Sequence, residues 1–361
     1  MPINKNSNLK RLGMGYPSEP GGSPAITNAN STGPYSPTQT YYVWTTSGPR
    51  GIIASGSPKS QSVAVGDRNT GFRRNVSPTA TQKFTTQPIS YWIVGGGGGG
   101  GSGNTAGAGG GGGGYGSGSF SISSTNIEVI VGGGGTGHDS LGSETYSGLG
   151  QGDTTVFGPG IAIGGGRGAN GGGSAGNSSG PPDCQAFPGA SGGGGARFNG
   201  TGGSGTPGIG FAGGSTPGCP GYGSAGGGGA GAIGEDFLCH PLSQAGMGGY
   251  GIRAPATYRP FPYGGPGPAG GSYFCGGGGG IGWNGVEAML GGYGGGAGWN
   301  TPTTPRPGSV GAAVTFNALA NSGGGGAGAS GSTNPLGPTP FSPEYRGGNG
   351  GSGLIIAIIP N

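Results

Sequence analysis

Residues able to do chemistry are few in this chain and lie far apart. His138 and His240 are its only imidazoles. Neither adjoins a nucleophile motif: there is no Gly-x-Ser-x-Gly elbow, no His-Glu-x-x-His zinc helix and no phosphate loop ending in Gly-Lys-Ser or Gly-Lys-Thr. The carboxylate pairs Asp139/Glu144 and Glu235/Asp236 are of the type used in glycoside cleavage. They fall in loop sequence, however, where acids are ordinarily solvated. Cys184, Cys219, Cys239 and Cys275 are widely spaced with no Cys-x-x-Cys pair, which leaves zinc without support and free thiols or one or two disulfides as the alternatives. Gly-x-Gly-x-x-Gly strings recur, but in a glycine-dominated region they carry no phosphate-binding meaning. The expectation is no enzyme, no catalytic residue, no metal and no cofactor.

Binding is better represented than catalysis. The segment Tyr258-Arg259-Pro260-Phe261-Pro262-Tyr263 combines aromatic faces with an arginine, a pairing suited to glycan or protein contact, and its prolines stiffen it before binding. Tyr258, Arg259, Phe261 and Tyr263, with Phe341 and Tyr345 in a second loop, are therefore candidate receptor contacts. The competing reading is structural: these rings cap the ends of a glycine-rich scaffold.

That scaffold is dictated by composition. The chain has 361 residues, 105 of them Gly and 31 Pro, with only 7% charged residues and a net charge of +4. Leu, Ile, Val and Phe make up about 14%, too little for a conventional hydrophobic core, while the low charge argues against ordinary charged disorder. Composition breaks at Val94. Up to that point there are 10 glycines and 9 basic residues against Glu19 and Asp67; beyond it come 95 glycines and no lysine. The first part carries β-rich patches such as Tyr41–Thr46, Gly51–Ala54 and Ser62–Val65, preceded by an Asn/Ser/Pro/Gly-rich stretch over 1–40 that reads as an extended arm. Arg68, Arg73 and Arg74 lack the interleaved aromatics of a nucleic-acid module and read as a solvated face or a protein contact. No apolar stretch is long enough to span a bilayer or to act as a signal peptide.

Runs such as Gly95–Gly101, Gly109–Gly114, Gly276–Gly280 and Gly323–Gly326 pose an energetic problem, because ordering a residue costs roughly 1–2 kcal/mol and glycine loses the most freedom. Packed polyproline-II helices offer a solution. Their backbone groups point outward, so neighbouring helices can satisfy them when no Cβ holds the chains apart. Interior helices must then be glycine on every face, whereas outer ones can carry a larger residue at every third position. Gly95–Gly101 and Gly109–Gly114 read as interior. Met247/Tyr250/Arg253, Thr201/Ser204/Pro207, Pro266/Ala269/Ser272 and Asn349/Ser352 read as outward triplets or pairs.

Three segments carry a family likeness. Ile89–Val94 runs into Gly95–Gly101; Ser119–Val131 runs into Gly132–Gly135; and Gly350–Gly353 enters Leu354–Ile359. Over roughly residues 80 to 361 this layout resembles the glycine-rich domains of bacteriophage tail-fibre adhesins and related virion structural proteins. The resemblance implies an all-β fold with essentially no α-helix. A small β-sheet of strands 83–94, 119–131 and 354–359 would anchor a polyglycine (polyproline-II) bundle within residues 81–361, behind an arm at 1–40 and a β-rich virion-attachment region at 41–80. It further implies a tail or capsid fibre on the virion exterior, made in the host cytoplasm without a signal peptide. Other virion proteins would bind through residues 1–94, loops would face a bacterial surface glycan or protein, and a homotrimer fits fibres as a class. No nucleic acid and no membrane insertion are expected. An ice-binding polyproline-II protein and a glycine-rich extracellular or cell-wall matrix protein are the other readings of the same composition.

Overall fold

A computed structural model of the chain describes residues 31–45, 48–52, 61–64, 73–76, 88–103, 106–121, 127–138, 150–169, 186–197, 199–218, 223–238, 244–259, 263–268, 270–281, 291–294, 296, 317–330 and 346–360. The described residues are strand and irregular chain without an α-helix; Ala256–Tyr258 forms one 3-10 turn. The fold is all-β, as expected.

In chain order the strands are β1 (Ser31–Ser36), β2 (Gln39–Trp44), β3 (Gly48–Ile52), β4 (Gln61–Ala64), β5 (Arg73–Val76), β6 (Ile89–Val94), β7 (Ser102–Gly103) and β8 (Tyr115–Phe120). There follow β9 (Ile127–Val131), β10 (Thr155–Phe157), β11 (Gly160–Ala162), β12 (Ile252–Arg253), β13 (Gly265–Gly267), β14 (Gly270–Phe274), β15 (Ala329–Ser330) and β16 (Leu354–Pro360). Five of them make a fully antiparallel sheet in the order β1-β2-β16-β6-β8. Its centre is β16, flanked by β2 and β6, with Ile356 level with both Val43 and Trp92, and Ile355 level with Trp44 and Ile93.

Period-two alternation divides these side chains between two faces. Trp44, Tyr91, Ile93, Ile355, Ala357 and Ile359 meet Val129, Val131, Phe157 and Ala162 of a second sheet, ordered β11-β10-β9-β3. Val43, Trp92, Leu354, Ile356 and Ile358 meet Ala254, Tyr258, Phe274 and Cys275 on the other side. Leu354–Ile359 is buried throughout, the pattern of a strand covered on both faces.

Two details of the expected anchor are corrected. Segment 119–131 is two strands in different sheets: β8 edges the central sheet beside β6, while β9 pairs with β3 and β10 in the covering layer. The reason lies in burial, since Gly116, Ser117, Gly118 and Ser119 suit an exposed edge whereas Val129 and Val131 need a partner face. The central sheet also takes β2, from the stretch before the glycine region, because Tyr41–Trp44 supplies large apolar side chains to both faces of β16. Of strand 83–94 the described part is β6; residues 83–87 lie outside the described residues.

The glycine segments grow directly out of these strands, and their hydrogen bonds repeat every three residues. From Gly95–Gly101, residues 95, 98 and 101 donate to Gly114, Gly111 and Ala108; residues 96 and 99 donate to Asp153 and Gly150; residues 97 and 100 donate to Gly351 and Gly348. Its carbonyls accept from three further segments, with Gly165 and Gly168 on one side, Gly135 and His138 on another, and Gly326 and Ala329 on the third. Three residues per turn is the polyproline-II repeat. A helix with that repeat sends each successive amide to a different neighbour, so this one is encircled. Gly109–Gly114 is surrounded in the same way, donating to Ala225 and Gly228, Gly323 and Gly326, and Gly166 and Ile163.

All residues of Gly95–Gly101 and Gly109–Gly114 are buried, as interior helices must be. Outward residues are exposed as the triplet pattern predicts at Thr201, Ser204, Pro207, Tyr250 and Asn349. Pro266/Ala269/Ser272 breaks the pattern. Gly265–Phe274 is instead the β13–β14 hairpin, with Ser272 buried at φ 69; Ala269 lies outside the described residues.

Candidate functional site

Of the aromatic loop, the structure turns Tyr258 inward. It is 6% exposed, packed against the Trp92 ring at 6.4 Å and 27° within the core that also holds Phe274 and Ile356. Burial pushes its phenol from the ordinary 10.0 up to about 12, with smaller pushes from the phenols of Tyr35 and Tyr91. Tyr263 is half-buried on the same cluster, its phenol raised by burial and then by Tyr41. Arg259 is exposed, but its Nε donates to the Ala254 carbonyl at 2.8 Å and its own carbonyl accepts from Ser272 Oγ at 3.2 Å, which ties the turn down. Tyr258 is therefore a lid on the second apolar face of the central sheet, in keeping with the structural reading of these rings, and Tyr263 packs half-buried at its edge. Phe261, Phe341 and Tyr345 lie outside the described residues.

The Tyr258 shift makes a testable statement. A folded-state pKa above the unfolded one contributes stability that is complete below pH 10 and is lost as the pH rises through 12. Ultraviolet titration of tyrosinate should show Tyr258 ionising near pH 12, and Tyr258→Phe should flatten the decline in stability above pH 10. An unchanged pH profile in that variant would contradict the buried position.

Near the junction of sheet and bundle, Thr155 fastens three strand ends. Its buried Oγ1 donates to the Val94 carbonyl at 2.7 Å and accepts from the Gly132 amide at 2.9 Å. Cys275, in the cluster on the other face of the central sheet, is fully buried, and burial raises its thiol far above the range in which thiolate chemistry occurs.

The opposite end of the bundle is where the chain repeatedly leaves the described scaffold. Gly101 stands six residues from Gly95, roughly 19 Å at a rise of about 3.1 Å per residue. Around it the amide of Gly347 donates to the His138 carbonyl, that of Ala108 to Ala169 and that of Ala329 to Gly101. Ser224 Oγ bridges the carbonyls of Gly107 and Ile281, each at 2.6 Å. Beyond His138, Ala169, Ile281 and Ser330 come the residues 139–149, 170–185, 282–290 and 331–345. The acids Asp139, Glu144 and Asp183 are among them. Just inside this end, Arg167 is buried with its guanidinium 4.6 Å from the centre of the Phe187 ring, and desolvation lowers its pKa. His138 is half-buried with Nδ1 3.4 Å from Ser102 Oγ.

Among the described residues no group of three or more His, Cys, Asp or Glu is placed to hold a metal ion, and no helix is long and apolar enough to cross a membrane. Comparison of the chain with protein-family models and with curated proteins returns no match.

Proposed function

We propose that the chain is a structural protein of a bacteriophage virion, a tail or capsid fibre whose glycine bundle projects outward and offers its far-end loops to a receptor on the host surface. The observation that supports this most is the polarity of the fold. Side-chain-rich sheets occupy one end, and at the other the described chain breaks off four times, after His138, Ala169, Ile281 and Ser330. A scaffold held by backbone hydrogen bonds asks nothing of loop sequence, so loops at its tip are free to vary for recognition. Attachment to other virion proteins falls to the basic stretch 1–30 ahead of the sheet, since β2 and β6 are spent on the core.

Purified particles labelled with antibodies against 139–149 and 331–345 should carry label at their periphery, and the same antibodies should block adsorption to the host. Deleting residues 1–30 should leave the chain folded and remove it from particles. Incorporation of that truncated chain, or particles that never carry label, would sink the proposal.

A further inference from the structure

An outward position on a glycine helix places no structural demand on its side chain. Thr201, Ser204 and Asn349 meet that condition with small polar groups. Tyr250 and Tyr293 do not: they expose 49% and 42% of their surface on adjacent segments linked by the Gly251 amide, which donates to the Tyr293 carbonyl at 2.6 Å. Their rings stack at 5.0 Å and 26°, and Tyr273 on β14 joins them at 6.4 Å and 55°, with the Arg253 guanidinium 6.0 Å from its centre. Three tyrosines from three separate elements thus gather on the flank of the bundle, Tyr250 and Tyr293 exposed and Tyr273 half-buried.

We infer that Tyr250, Tyr293 and Tyr273 form a carbohydrate platform that stacks a pyranose ring of a polysaccharide. The rings hold one another in place, so little side-chain freedom remains to be lost on binding. Their surroundings also favour a sugar over a protein surface. The flanking residues Gly248, Gly249, Gly251, Gly292 and Gly294 are buried in the bundle and put no side chain beside the rings. The amides of Tyr250 and Tyr293 donate to no described residue. A pyranose has the complementary build, an apolar ring face rimmed by hydroxyls. The platform lies on the flank of the bundle near the sheet, apart from the far-end loops, and the inference does not rest on the chain being a virion protein.

Native electrophoresis of the full chain through gels containing dextran, galactomannan, xylan or hyaluronan tests it. Retardation is expected in at least one gel. There Tyr250→Ala and Tyr293→Ala should each weaken the apparent affinity about tenfold, on the order of 1.4 kcal/mol. Tyr250→Phe, which keeps the ring, should retain it. Tyr250→Thr, matching the residue type that stands outward at Thr201, provides a second loss variant with no change expected in the melting curve. Retardation that survives the double alanine variant, or mobility unaltered in all four gels, would overturn the platform. So would a partner protein captured through these rings without any polysaccharide binding.

Discussion

Gly100→Ala is expected to destabilise the protein by about 3 kcal/mol or more, beyond the usual cost of overpacking a core. A Cβ on Gly100 would land on the carbonyl of Ala327, far inside van der Waals contact, with the Gly326 carbonyl also close. The obstacle is backbone, so no rotamer change can relieve it. The encircling helices are in turn fixed by their own hydrogen bonds: Gly348 donates to Ala327 and Gly326 to Gly98. Separating the helices to admit one methyl group would stretch several such bonds together and leave buried amides unsatisfied. Gly97→Ala should behave alike, because its Cβ would meet the carbonyl of Gly324 on the same neighbouring segment. The control is Gly271→Ala. Nothing lies within 4 Å of a Cβ there and the backbone is not in the left-handed region, so the change should be neutral or stabilising by about 0.4–1 kcal/mol through the unfolded chain. Equilibrium denaturation of the three variants measures both effects. Equal stabilities for Gly100→Ala and Gly271→Ala would mean that the bundle does not depend on close backbone approach.

The same steric rule explains what could be read from sequence. Where a helix is encircled, every residue that carries a Cβ collides, so Gly95–Gly101 and Gly109–Gly114 announce their interior position in one-dimensional form. The outward spacing at Thr201, Ser204 and Pro207 follows from the three-residue turn. Exceptions inside the bundle are small, among them Ala108, Ala169 and Ala196, which meet one another in an apolar cluster near the far end.

The gathering of Leu354–Ile359 with Ile89–Val94 was legible from the way both border the glycine region, but the partnership with Tyr41–Trp44 was not, for a physical reason. The alternation in Tyr41–Trp44 shows that both sides of a strand are apolar but says nothing of which strand lies beside it. That the neighbour is Leu354–Ile359, some three hundred residues on, depends on the path of every glycine helix between. The sequence left Tyr258 undecided on similar grounds, since proline-flanked aromatics read alike whether they cover a sheet or face solvent. The tyrosine platform left only a faint trace: Tyr250 fits the outward spacing, but its contact with Tyr293 arises from two helices packing side by side.

Loss of β16 should be the most damaging single change to the chain. A stop after Gly353 removes Leu354, Ile355, Ile356, Ile358 and Ile359, each of them buried. At about 1.5–3 kcal/mol for each buried aliphatic side chain, the loss is on the order of 10 kcal/mol, comparable to the whole stability of a typical protein at roughly 5–15 kcal/mol. The damage also exceeds the area lost. β16 is the strand through which β2 meets β6, and with it both hydrophobic clusters lose their centre. The bundle would then be open at its base, where Val94 leads into Gly95 and Phe274 into Cys275. Glycine helices cannot compensate, because they bury almost no side chain and their hydrogen bonds form only once the neighbouring helices are aligned. The truncated chain is therefore expected to be protease-sensitive along its whole length, without a resistant glycine fragment. A resistant fragment spanning Gly95–Ser352 would show instead that the bundle holds itself together and that the sheets only decorate it. Ile356→Asp tests the same dependence without shortening the chain. It would place a charge between Val43 and Trp92 on β16, and the cost should reach several kcal/mol as that carboxylate is desolvated or forced to take up a proton.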